Sequence, residues 1–204
     1  MTQEKGSRYH HGDLRAALID TAIDLIAERG VRNFSLAAAS RRLGVSVSAP
    51  YAHFSDRDEL LAAVAVHASE LLYAELLTEL NQSQTPADRL AAIARAYVRF
   101  AGSHRPLFEM LFEAGLDKSR HPALAAAERP IDDAFSSSVR ALPDCSERES
   151  EYVATAIEAA AHGHAMLLLD GSFGEGPEAV EVAAERAARA TLALVEGRRL
   201  LSPR

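Results

Sequence analysis

One glycine, set between two short amphipathic segments and followed by a capped long one, constrains this chain more than any other feature. Residues 35–60 read SLAAASRRLGVSVSAPYAHFSDRDEL. Ser35 is a natural N-cap, because its hydroxyl can accept an early helix N–H. Leu36 and Leu43 fall on one face of the helix it opens, and Arg41 and Arg42 point outward. Gly44 permits the left-handed backbone that swings the chain into a second short helix over residues 47–53, with Ser46 as its cap. Pro50 falls in the first turn of that helix or just beyond, where a missing N–H costs little. Phe54 is expected to pack inward. Asp56 and Glu59 make an acidic capping box for a long following helix. Upstream, Leu14, Leu18, Ala22 and Leu25 recur at helical spacing, Ile19, Ile23 and Ile26 widen the stripe, and Gly30 provides the stop. The layout is a helix-turn-helix, whose second helix enters the DNA major groove.

The run Gly44-Val45-Ser46, followed by Ala49-Pro50-Tyr51-Ala52-His53-Phe54 and Asp56-Arg57-Asp58-Glu59-Leu60, resembles the TetR family of bacterial transcriptional regulators. The match covers residues 14–60. The Tyr-x-His-Phe block at fixed distance from Gly-Val-Ser makes it specific. The resemblance implies that Tyr51 and His53 hydrogen-bond phosphates. It also implies a ligand pocket in the rest of the chain. The chain departs from the family pattern at Ala37, where a basic residue often meets phosphate, and at Ala39 and Ser40, where a branched apolar residue and an alanine are usual. These departures imply a looser core and more reliance on the N-terminal arm.

In that geometry Val47, Ser48, Ala49 and Ala52 lie near base edges. They are small and mostly apolar, suited to thymine methyls rather than to bidentate reading. Arg41, Arg42, Lys5 and Arg8 are candidates for phosphate or minor-groove contacts. Each has a plainer reading: Tyr51 as a half-buried packing residue, His53 as a surface histidine, the arginines as solvated charges.

The net charge of −7 argues at first against nucleic acid, but its distribution removes the objection. Residues 1–60 carry eight Lys and Arg against eight Asp and Glu, so the whole deficit lies beyond Leu60. Cys145 is the only cysteine, which excludes an intrachain disulfide and reads as an ordinary cytosolic thiol. No apolar run is expected to span a membrane, and the N-terminus lacks a signal-peptide core, so a cytoplasmic location is expected.

Beyond Leu60 the pattern predicts a second, all-helical unit. The long helix runs from Asp56 to about residue 80. Pro86 starts a helix through about 102, and His104-Arg105-Pro106 restarts the chain. Pro122 and Pro130 punctuate the next stretch, after which a helix runs to about 142. Two long helices, about 146–169 and 176–200, close the chain. The fold class is therefore all-α: a helix-turn-helix unit over residues 1–60 and a helical effector-binding and dimerisation unit over 61–204.

Small residues on the last two helices suggest a twofold dimer through a four-helix bundle. On the first, Ala156, Ala159, Ala160 and Gly163 align, with Met166 and Leu167 continuing the face. On the second, Ala183, Ala187, Thr191, Leu194 and Val195 do so. The plainer reading is that these faces are intramolecular core. The segment Ala161-His162-Gly163-His164, followed by an apolar run and Asp170-Gly171, resembles the C-terminal unit of one TetR subgroup. Phe100, His104, Phe108, Met110, Phe112, Phe135, His162 and Met166 are the candidates for an effector pocket, against ordinary core packing. His162 and His164 point roughly 200° apart around a helix, so both cannot chelate one ion. His10 and His11 fall in the N-terminal arm. No metal, cofactor or catalytic residue is expected, since a nucleophile elbow and a phosphate loop are both missing.

The expected protein is a homodimer that binds a palindromic double-stranded operator as a repressor, and that a small-molecule effector releases. The rival is a helical small-molecule-binding or enzymatic protein whose helix-turn-helix is only structural.

Overall fold

The computed structural model describes residues 14–201. The candidates Lys5, Arg8, His10 and His11 lie outside the described residues. Eight α-helices and four short 3-10 turns make up the described chain, with no strand among them. They are α1 (Leu14–Arg29), α2 (Leu36–Leu43), α3 (Arg57–Leu80), α4 (Pro86–Ser103), α5 (Arg105–Glu113), α6 (Pro122–Arg140), α7 (Glu147–Leu169) and α8 (Pro177–Glu196). The all-α expectation holds.

Local chemistry sets most of the boundaries. Thr85 and Asp88 form a reciprocal capping box on α4, as do Ser146 and Glu149 on α7. Pro86, Pro106, Pro122 and Pro177 sit in first turns, where their missing N–H is no loss. Gly197 ends α8 short of the expected residue 200, and a 3-10 turn follows.

Two expectations need correction. Pro130 does not separate elements: α6 starts at Pro122 and runs straight through it. A proline inside a helix removes one backbone bond and costs about 3 kcal/mol. Here the acceptor it abandons belongs to Ala126, which is exposed and open to water, while α6 is held by its packing on α3 and α4. The second correction concerns α3. By length and composition it could cross a membrane, contrary to the sequence reading, but half of that stretch is buried inside the protein. Its apolar residues are those of a core helix.

α4 lies at the centre, packed most extensively on α8 and also on α3, α5, α6 and α7. The α4–α8 pair is antiparallel. Gly102 lies beside Val180, Arg99 pairs with Glu181 and Arg95 with Glu185. Alanines allow the close approach, with Ala101 on α4 and Ala183, Ala184, Ala187 and Ala188 on α8 all buried. Around this seam an ion network joins three helices: Arg95 and Arg99 each also contact Glu79 on α3.

A continuous apolar core runs from the N-terminal helices into the remainder, because α3 serves both. Leu18, Leu25, Phe54 and Leu60 belong to the same buried cluster as Val98, Phe108 and Ala187.

Two glycines give opposite expectations. A Cβ on Gly102 would fall 2.6 Å from Val180 Cγ2 and 3.1 Å from Leu168 Cδ2. Gly102→Leu should therefore lower stability by about 1–3 kcal/mol in urea titration, as overpacking does. A Cβ on Gly163 would meet nothing within 4 Å in its own protomer, so Gly163→Ala should gain up to about 1 kcal/mol from helix propensity within that protomer. Equal effects at the two sites would contradict the α4–α8 seam.

Candidate nucleic-acid interface and ligand cavity

The N-terminal unit is assembled from backbone signals. Ser35 accepts from the N–H of Ala38 and opens α2, and Gly44, at φ 68°, closes it in the left-handed region. Leu36, Ala39 and Ser40 are buried against α1 and the turn, and Ser40 Oγ donates to the Leu36 carbonyl at 3.0 Å. Phe54 is buried, with the Arg15 guanidinium 5.3 Å from its ring centre. Asp56 accepts from the N–H of Glu59 as expected. The Glu59 carboxylate closes the box one residue earlier than expected, on the Ser55 N–H, which holds it below the usual carboxylate range.

The recognition segment is shorter than expected. It is a 3-10 turn, Ala49–Ala52, preceded by a hydrogen-bonded turn, rather than a helix from Val47. Ser46 does not cap it with its side chain; the Ser46 and Ser48 hydroxyls bond each other at 3.1 Å. Pro50 falls in the first turn, and the N–H groups of His53 and Phe54 both reach its carbonyl. Four residues cannot complete two α-turns, and buried Pro50 and Phe54 pin both ends of the segment to the core.

This turn presents one open face. Val47 and Tyr51 are each 56% exposed, which removes the reading of Tyr51 as a packing residue. Ser48 and Ala52 are exposed beside them, and Ala49 and His53 are half-buried. Arg41 is exposed with no acidic partner among the described residues. Arg42 is different. Both its terminal nitrogens bind the Glu28 carboxylate, at 2.9 and 2.5 Å, and this pair lowers the Glu28 pKa. Its guanidinium is engaged with Glu28 and ties α2 to α1. The sequence reading also missed Arg57. Its guanidinium donates to the Phe34 carbonyl at 3.1 Å and the Val31 carbonyl at 2.6 Å, fastening α3 to the loop before α2. A cation in the first turn of a helix opposes the helix dipole, and that was the available signal.

Of the pocket candidates, Phe112, Phe135 and His162 line a cavity of about 740 Å³ bounded by α3, α4, α5, α6 and α7. The others do not line it. Phe100, Phe108 and Met110 are fully buried core residues. His104 lies 3.2 Å from Glu75 and stacks near Phe100. Met166 is exposed on α7. The main lining residue that sequence missed is Tyr97, whose hydroxyl meets His162 Nδ1 at 2.9 Å. Burial and the nearby Glu158 charge push that phenol well up. His164 is directed elsewhere, with Nδ1 2.7 Å from the Ala160 carbonyl. A second cavity, of about 860 Å³, lies where α1 and the recognition turn meet α3 and the start of α6. Arg15, His53, His67 and His121 are among its lining.

The two proposed dimer faces divide. On α7, Ala156, Ala160 and Gly163 are half-exposed, and Ala159, Met166 and Leu167 are exposed. On α8, Ala187 and Thr191 are fully buried and Leu194 packs on an internal cluster. These α8 residues are intramolecular core, a correction: their small size serves the approach of α4. Thr191 keeps its buried hydroxyl satisfied on the Ala187 carbonyl at 3.0 Å.

Comparison with known proteins agrees with this arrangement. The family described as "Bacterial regulatory proteins, tetR family" matches residues 18–64, and the "Tetracyclin repressor-like, C-terminal domain" matches residues 90–191. The HTH-type transcriptional regulator BetI of Brucella canis is 34% identical over 79 residues, 39% of this chain and 40% of that protein. The chain thus spans well under half the length of that curated relative. An uncharacterized HTH-type transcriptional regulator of Mycobacterium bovis is 32% identical over 133 residues, 63% of this chain and 67% of its own. A solved structure of a protein with unknown function from Rhodococcus sp. RHA1 superposes with a TM-score of 0.73 at 29% identity, covering 92% of this chain and 98% of that one. A TetR-like transcriptional regulator from the same organism superposes with a TM-score of 0.69 at 18% identity, covering 93% of this chain and all of that one. With a helix-turn-helix unit and a helical second unit each matched by its own family description, the chain belongs to the TetR family of bacterial regulatory proteins.

Proposed function

We propose that the protein is a homodimeric transcriptional repressor that occupies a palindromic DNA operator and leaves it when a small molecule fills the cavity under α6 and α7. The observation that carries this reading is the open face of the recognition turn. Val47 and Tyr51 stand far out of the core on a segment whose neighbours Pro50 and Phe54 are buried. A rigid base with exposed apolar and hydroxyl groups suits base-edge and phosphate contact. Val47, Ser48, Ala49 and Ala52 face the bases, while Tyr51, His53 and Arg41 take phosphates. Lys5 and Arg8 add arm contacts. Arg42 supports the reader by holding α2 on α1.

We assign reading to residues 1–60 and effector binding and dimerisation to 61–204, in a cytoplasmic protein. The dimer is proposed through the outer face of α7, around Ala156, Ala160 and Gly163, where half-exposed small residues leave room for a partner helix. Twofold symmetry would present two readers about 34 Å apart, one DNA turn. The effector signal has two routes to the reader. One is α3, which is continuous with it. The other is α5, which bears the lining residues Leu111 and Phe112 and packs directly on α1. An effector and an operator that favour different arrangements must weaken each other equally.

Fluorescence anisotropy with duplexes selected from a random pool tests the reading. Tyr51→Phe and His53→Ala should weaken every bound sequence by a similar factor. Ser48→Ala should change preference at one base pair by about 1–3 kcal/mol. Arg41→Ala should reduce the salt slope by about one. Wild-type affinity in all of these variants would overturn the assigned face. A protein that small molecules stabilise but that selects no DNA would favour the rival, a ligand-binding or enzymatic role.

Assembly has its own test. Gly163→Leu should shift sedimentation at micromolar concentration from dimer to monomer while leaving helicity intact, because the space beside Gly163 is open within one protomer. A dimer of unchanged strength would move the interface off this face.

A further inference from the structure

The cavity under α6 and α7 has an unbalanced lining. Its body is apolar and aromatic, with Leu72, Ile93, Ile131, Phe112 and Phe135 facing the space. Its charged groups are Lys118, Glu128, Asp132 and Glu158. Lys118 is already committed, with Nζ 2.6 Å from the Glu128 carboxylate. That leaves Asp132 on α6 and Glu158 on α7, both at exposed positions on the rim and neither in an ion pair among the described residues. Deeper in, Tyr97 and His162 satisfy each other.

We propose that this cavity takes a lipophilic organic cation, its charge held at the rim by Asp132 and Glu158 and its apolar body packed on Phe112 and Phe135. This rests on the reading of the cavity as the effector site, and names the chemistry that site selects. The volume, about 740 Å³, suits a compact drug-sized molecule. Unpaired carboxylates beside an apolar hollow attract a positive charge that water solvates weakly. The ring of Phe112, 55% exposed yet lining the space, adds a negative π-face to the same end. Asp132 supports this independently of its position. Burial, and then the neighbouring Glu128 charge, push its carboxyl above the ordinary aspartate range against the opposing pull of Lys118, and a bound cation would offset the Glu128 repulsion. An anionic ligand meets the opposite situation. It would have to draw Lys118 from Glu128 and leave a third unpaired carboxylate in the lining.

Two probes of the same shape and opposite charge test the assignment: tetraphenylphosphonium and tetraphenylborate, titrated calorimetrically into the full-length protein. Tetraphenylphosphonium should bind, and Phe135→Ala should weaken it. The double variant Asp132→Asn with Glu158→Gln should weaken it about five- to tenfold, the scale of two partly screened charge contacts. The same double variant should strengthen tetraphenylborate. Glu178→Gln with Glu196→Gln, on exposed positions of α8, controls for the overall negative charge and should change neither affinity by more than about twofold. Three results would overturn the cation assignment while leaving the pocket standing. These are phosphonium binding that needs Phe135 but ignores the two rim carboxylates, borate binding as tight as phosphonium in the wild type, or an equal loss in the α8 control. Binding of neither probe, or binding indifferent to Phe135→Ala, would overturn the pocket reading and the cation with it.

Discussion

The close approach of α4 to α8 is the contact on which the rest of the architecture depends. Alanines on both helices and Gly102 at the crossing let the two backbones sit together, and Arg95 and Arg99 then reach acids on α3 and α8 at once. With α8 spent on that seam, α7 keeps an outer face of small and apolar side chains. The remaining side of α4 borders the 740 Å³ cavity through Ile93, Ala94 and Tyr97. Core, cavity and free surface are thus three consequences of how one helix is covered.

The sequence was most legible where a structure is decided by a few neighbouring residues. Ser35, Gly44, Asp56, Pro86 and Ser146 act on the backbone within one turn of themselves, and the helix ends they imply are where the chain places them. Legibility fell off with distance along the chain. Arg42 meets Glu28 fourteen residues away, and nothing local distinguishes that pairing from a phosphate contact. Ala187 and Ala160 look alike in sequence, yet one lies under α4 and the other is half-exposed. Helical periodicity reports that a face is small; it does not report which helix covers it. The aromatic candidates failed in the same way, since Phe108 and Phe112 share α5 but point to core and to cavity respectively. Pro130 misled for another reason: a local penalty of about 3 kcal/mol can be outweighed by tertiary packing that the sequence does not display.

Because α3 belongs to both units, the reader is not tethered by a loop. Arg57 locks the first turn of α3 to the carbonyls of Val31 and Phe34, and α5 presses on α1 from the other side. Any tilt of α3 would act on the reader through both contacts, and the 860 Å³ cavity lies at that junction. The small size of the recognition turn suits this arrangement: a short rigid element holds its side chains in place while the helices behind it shift.

The Arg42–Glu28 pair carries a consequence for ionic strength. Salt weakens any protein–DNA complex by competing for phosphates, and the slope is ordinarily read as a count of cations on the DNA. In this reader one exposed, bidentate ion pair also holds α2 against α1. Raising salt screens that pair as well, so part of the measured slope belongs to loosening of the protein rather than to counterions released from the duplex. A count of phosphate contacts taken from the slope alone would exceed the number of cations that touch DNA.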